Sequence, residues 1–92
     1  MVNPYTDIFS SDKDERVRTF GEDIHDMELI WHRDKCNREV AVLEGDGWKL
    51  QLDNELPVIM EKGRLYRIPK MVYHRIIKGK GDLRLKIWDE VN

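Results

Sequence analysis

Two histidines set in differently built surroundings carry most of the chemistry this chain offers. In "WHRDKCNREVAVLEG", residues 31–45, His32 is followed by Asp34 two positions on and by Glu39. If the strand that starts "MELIWH" continues, His32 and Asp34 share a face, because alternate residues of a strand point the same way. A histidine and a carboxylate then point together. In "GRLYRIPKMVYHRII", residues 63–77, His74 stands behind a loop punctuated by Gly63 and Pro69. Glycine permits the turn into a strand, and proline ends a strand where the chain can no longer donate to a ladder. Geometry rather than charge therefore explains the punctuation. Imidazole and carboxylate are ligand types for divalent metals.

The elements that position these residues read as short strands. From Met27 onward come "MELIWH", "REVAVLE" ending at Gly45, "WKLQL" ending at Asp53-Asn54, "LPVIM" ending at Gly63, "RLYRI" ending at Pro69, "YHRII" ending at Gly79, and "LRLKIW". Trp48, Leu50 and Leu52 alternate with Lys49 and Gln51, and Leu83, Leu85 and Ile87 alternate with Arg84 and Lys86, the period of half-buried strands. Strands recurring about every nine residues, with Gly and Pro between them, predict an all-β sandwich or barrel over residues 27–92. Residues 1–26 are polar and read as an N-terminal arm, with Ser11 three positions before Asp14 as a capping signal for one or two helical turns.

Ninety-two residues make one domain. A chain of this size buries only somewhat more than ~60% of the surface its unfolded form exposes, so its core must be compact or shared with a partner. Sixteen Lys and Arg against eighteen Asp and Glu give a formal net charge of −2. Without a basic run, no footprint for a phosphate backbone exists, and nucleic acid is not an expected partner. No apolar run approaches a membrane span or a signal h-region, so a soluble, cytoplasmic protein with no membrane partner is expected. Cys36 is the single cysteine, which precludes an intramolecular disulfide.

The punctuated stretches resemble the cupins, small jelly-roll barrels of the double-stranded β-helix type. The second cupin motif, G-x5-P-x-G-x2-H-x3-N, is matched at Gly63, Pro69 and His74, with Met71 in place of its second glycine and Lys78 in place of its asparagine. The first, G-x5-H-x-H-x(3,4)-E-x6-G, is matched at His32 and Glu39. Asp26 replaces its leading glycine, Asp34 its second histidine, and Gly45 and Gly47 flank its closing glycine. The resemblance spans residues 28–88. It implies a divalent metal, Fe, Mn, Ni or Zn, held in the barrel by His32, His74 and a carboxylate. Asp34 competes with Glu39 for that carboxylate role. His-x-Asp with a distant His is also the order of the two-histidine, one-carboxylate triad of non-haem iron oxygenases, which favours His32, Asp34 and His74.

Gln51 and Tyr66 are candidates to line the barrel mouth, and Arg33, Arg38 and Arg75 can grip a carboxylate, though outward strand positions are usually a solvated face. Gln51, Tyr66 and Arg75 are the expected substrate-binding residues. His25 reads as a solvent-facing arm residue, Cys36 as a half-buried thiol, and Trp31, Trp48 and Trp88 as packing or interface residues. No catalytic residue is identifiable. Whether the chain is an enzyme stays open; if it is, the resemblance implies a metal-dependent cupin enzyme of dioxygenase or isomerase type acting on a small molecule. The alternative is a metal-free cupin that binds a small ligand or serves as a dimeric structural module. A homodimer is expected in either case, with the arm as the exchanged latch.

Overall fold

The computed structural model describes residues 5–10, 14–24 and 29–90. Within them the chain forms β1 (Tyr5–Phe9), β2 (Glu15–Phe20), β3 (Asn37–Asp46), β4 (Lys49–Leu52), β5 (Val58–Ile59), β6 (Leu65–Ile68), β7 (His74–Ile77) and β8 (Lys80–Glu90). No helix occurs among the described residues. The strands pair antiparallel in two sheets, one ordered β1-β2-β8-β3-β6 and the other β5-β4-β7.

Alternation decides what each sheet turns inward. On β8, Leu83, Leu85 and Ile87 are buried while Arg84 and Lys86 face out, and opposite them Val40 and Val42 of β3 are equally buried. The smaller sheet contributes Leu50, and the connections contribute Trp48 and Met60 to the same core. Trp48 is fully buried, and its Nε1–H reaches the carbonyls of Lys80 and Gly81, both at 3.2 Å, so its one polar atom is satisfied. Gly79 makes the junction between the sheets possible. A Cβ there would lie 2.3 Å from the Asp46 carbonyl oxygen and 2.4 Å from the Trp48 nitrogen, both backbone atoms.

The N-terminal arm is the largest departure from the sequence reading. Instead of helical turns, residues 15–20 are a strand, and β1 and β2 form a hairpin whose second strand runs beside β8. Ser11 itself lies outside the described residues, as does His25. The inward positions of β2 are Arg16, Arg18 and Phe20, opposite Ile87, Leu85 and Leu83. Polar residues turned into the barrel and paired there disguise a strand as an arm. The expected strand "MELIWH" is also corrected: Leu29–Trp31 are irregular, and His32 makes only an isolated bridge to His74. The expected "LPVIM" strand shrinks to Val58–Ile59.

Candidate metal centre

His74 opens β7 on its inward face, in register with Leu52, and is 2% exposed. His32 hangs on the free edge of the same strand. Its N–H donates to the His74 carbonyl at 3.0 Å, and the His74 N–H donates back to the His32 carbonyl at 2.8 Å. This exchange brings the two rings to a centroid separation of 4.3 Å. Asp34 follows two residues on and is held by the turn before β7: the Met71 N–H donates to the Asp34 carbonyl at 2.7 Å, and the Lys70 N–H to Asn37 Oδ1 at 2.9 Å. Met71 adopts φ 63°, in the left-handed region that glycine enters without strain. The loop around Pro69 thus clamps the segment bearing Asp34 onto the strand bearing His74.

One ligating atom from each of His32, Asp34 and His74 lies within 4.8 Å of the others. Each histidine places Nδ1 3.0 Å from the carbonyl two residues before it, Ile30 for His32 and Val72 for His74. A carbonyl only accepts, so Nδ1 carries the proton in both bonds, which in the neutral ring leaves the lone pair on Nε2, the arrangement found for metal-ligating histidines. Burial pushes the His74 pKa below its usual value, with the His32 and Arg38 charges acting in the same direction, against the Val72 bond and Asp34. Its imidazole is therefore neutral at pH 7, the form that ligates. His74 Nε2 stands 3.4 Å from Asp34 Oδ2. That oxygen is buried and accepts no hydrogen bond. Arg38 Nη1 is 3.1 Å away and gives it a charge contact without hydrogen-bond alignment. A buried carboxylate oxygen with an ion-pair neighbour but no hydrogen bond, beside two imidazoles, fits a divalent cation.

These three residues open onto a cavity of about 280 Å³ between the sheets. Its wall is mostly apolar, with Arg18, Arg38 and Tyr5 as further polar members. Arg38, expected to face solvent, lies on the inward face of β3: its Nε donates to Asp89 Oδ1 at 2.7 Å. Asp89 also accepts from Arg16 Nη1 at 2.7 Å. Burial raises the Asp89 pKa, but the hydrogen bonds and charges of Arg16 and Arg38 outweigh it and hold the carboxyl below its usual range. Arg18 pairs with Asp7 through Nε at 2.7 Å and Nη2 at 2.9 Å. A line of alternating charge therefore runs from Asp7 through Arg16, Asp89 and Arg38 to Asp34.

The remaining expected site residues do not join the cavity. Glu39 alternates with Val40 and points out of β3, where it meets Arg67 at 3.8 Å. Gln51 and Arg75 are cross-strand partners on the outer face of β4 and β7, bonded to each other at 2.9 Å. Arg75 also covers the Trp31 ring at 4.9 Å. The Tyr66 hydroxyl donates to the Ile59 carbonyl and accepts from the Glu61 N–H, both at 2.8 Å, so it staples the β5–β6 connection. Cys36 is half-buried, and burial pushes its thiol pKa up, away from the ligating thiolate. Arg18 and Tyr5 were overlooked because they fall in the polar arm, although "ERVRTF" carries an alternating signal.

No protein-family model matches the sequence, and no curated protein does. Solved structures match it in shape. A cupin domain (bp2299) from Bordetella pertussis Tohama I shares 16% identity, with 99% of each chain covered and a TM-score of 0.66. A cupin-2 domain containing protein from Shewanella frigidimarina NCIMB 400 shares 16% identity over 100% of this chain and 85% of that one, with a TM-score of 0.67. Fe(II) HppE shares 18% identity over 94% of this chain, with a TM-score of 0.69, but this chain spans only 48% of its length. These likenesses show the fold: an all-β jelly roll of the cupin type. Among the described residues, no helix is long and apolar enough to cross a membrane.

Proposed function

We propose that this cupin-fold protein holds a divalent metal on His32, Asp34 and His74 and takes a small molecule into the adjoining cavity. The observation that carries the reading is the buried Asp34 Oδ2, which accepts no hydrogen bond and faces His74 Nε2 at 3.4 Å. The two backbone carbonyls that orient the rings, at Ile30 and Val72, hold the lone pairs in place before any ion arrives. When bound, the metal supplies Lewis-acid or redox chemistry to an oxygen of the bound molecule. The cavity wall is mostly apolar, and Arg38 stands beside the Asp34 carboxylate. Structures of HppE with Fe(II) and Co(II) support a first-row metal, among which Fe, Mn, Ni and Zn are the candidates. If the chain is an enzyme, this arrangement serves a metal-dependent reaction of dioxygenase or isomerase type on a small oxygen-bearing substrate.

The homodimer expected from the sequence draws support from the outward apolar side chains Leu56, Val58, Ile59 and Leu65, all exposed. A monomeric mass at micromolar concentration would remove it. The metal reading is tested by elemental analysis of protein made without a metal-affinity tag and reconstituted anaerobically with Fe(II), alongside four variants. His32→Ala, Asp34→Ala and His74→Ala should lose the metal while keeping the circular dichroism spectrum of the fold, and Glu39→Ala should retain it. A folded His74→Ala protein that keeps its metal would sink the assignment.

A further inference from the structure

We infer that the molecule taken into the cavity is a small organic anion with a short apolar body, its charge met by Arg18; this rests on the metal reading above. Charge balance in the barrel favours an anion. The inward ion pairs set Arg16, Arg18 and Arg38 against Asp7, Asp89 and Asp34. Three cations face three carboxylates, and ligating imidazoles are neutral. A divalent ion added to this balanced set leaves a surplus of positive charge in a largely buried space. Uncompensated charge in such a place is costly, and an anionic ligand offsets it. The surplus disfavours a cationic ligand for the same reason.

Arg18 is placed to meet that anion. Its side chain is 13% exposed and lines the same cavity as the three candidate ligands. Its guanidinium lies 3.6 Å from the centroid of the Tyr5 ring, a cation–π contact that holds it against the ring. Both hydrogen bonds that the described residues give it, from Nε and Nη2, go to Asp7. The donors of Nη1 are left for a ligand, and a guanidinium so held is suited to a carboxylate. Around it, Phe20, Leu29, Leu50, Met60, Ile76 and Leu85 form an apolar wall. A cavity of about 280 Å³ admits a short carbon chain beside the charged group.

The test titrates butyrate, its neutral isostere butyramide and the cation butylamine into Zn(II)-loaded protein by calorimetry, with metal content measured for every sample. Butyrate should bind about tenfold or more tightly than either of the others, the size expected for hydrogen bonds to a charged group. Arg18→Met should cut that preference severalfold without lowering metal content, the metal's own charge keeping the remainder, and Arg18→Lys should restore part of the loss. Because Arg18→Met strands the Asp7 carboxylate, the double variant Asp7→Asn/Arg18→Met removes both charges and should show the same loss in a folded protein. Metal-loaded protein that binds butyrate no better than butyramide, or that keeps the whole preference in the double variant, overturns this inference alone. Protein that takes up no metal overturns the metal reading and this inference with it.

Discussion

Replacing Asp89 by asparagine tests whether the inward ion network is structural. Asp89 accepts from Arg16 Nη1 and Arg38 Nε, each at 2.7 Å, and its side chain is only 18% exposed. Hydrogen bonds to charged groups contribute roughly 1.5–3 kcal/mol each. Asparagine keeps one acceptor oxygen and presents an NH₂ to a guanidinium, so one bond is lost and the other loses its ionic partner. Breaking a fully buried pair costs about 3–5 kcal/mol. Here Asp7, 3.6 Å from Arg16 Nε, and Asp34, 3.1 Å from Arg38, remain as partial partners. The expected loss is therefore about 2–3 kcal/mol, a fall in melting temperature of roughly 10–20 °C for a domain of this size. Urea and thermal unfolding measure it. The control is Glu90→Gln, which breaks the 2.6 Å pair with Arg67 on the exposed outer face and should leave the urea midpoint in place. A loss below about 1 kcal/mol in Asp89→Asn, or an equal loss in the control, would refute the reasoning.

Three further outcomes follow from the same geometry. Burial holds the His74 pKa below 6.5, so the folded metal-free protein binds fewer protons than the unfolded chain. Its stability is complete above the unfolded value and is lost as pH falls through 6.5 toward the folded pKa, a slope that His74→Gln should flatten in urea midpoints taken across that range. Tyr66→Phe removes two hydrogen bonds from the β5–β6 connection and should cost about 1 kcal/mol in urea unfolding while leaving metal uptake unchanged. Gly79→Ala forces a Cβ against the backbone of Asp46 and Trp48 and should cost about 3 kcal/mol, read as a lowered melting temperature.

The strands that alternate apolar with polar residues are legible in the sequence, as β4 and β8 illustrate with Leu50 and with Leu83, Leu85 and Ile87 turned inward. The hairpin β1–β2 was not, because its inward positions include Asp7, Arg16 and Arg18, which neutralise one another. A rule that places apolar residues inside and charged residues outside cannot see a strand whose buried face is an ion pair. His32 and Asp34 did converge, though not as residues of one continuous strand: a single bridge to His74 and a turn at Met71 set them in place. Both are long-range contacts that local periodicity does not encode. Gln51, Tyr66 and Arg75 lie outside the cavity lining, a placement the sequence does not reveal, since a polar side chain near a barrel mouth looks the same in sequence whether it faces the cavity or a cross-strand neighbour.

The most direct test of the account is an anomalous difference map from crystals of the protein grown with Mn(II) or Fe(II), collected at the metal edge. The account predicts a single strong peak bounded by His32 Nε2, His74 Nε2 and the Asp34 carboxylate, and no peak at Glu39. A map without density between the two imidazoles at saturating metal, or with its peak elsewhere on the barrel, would contradict it.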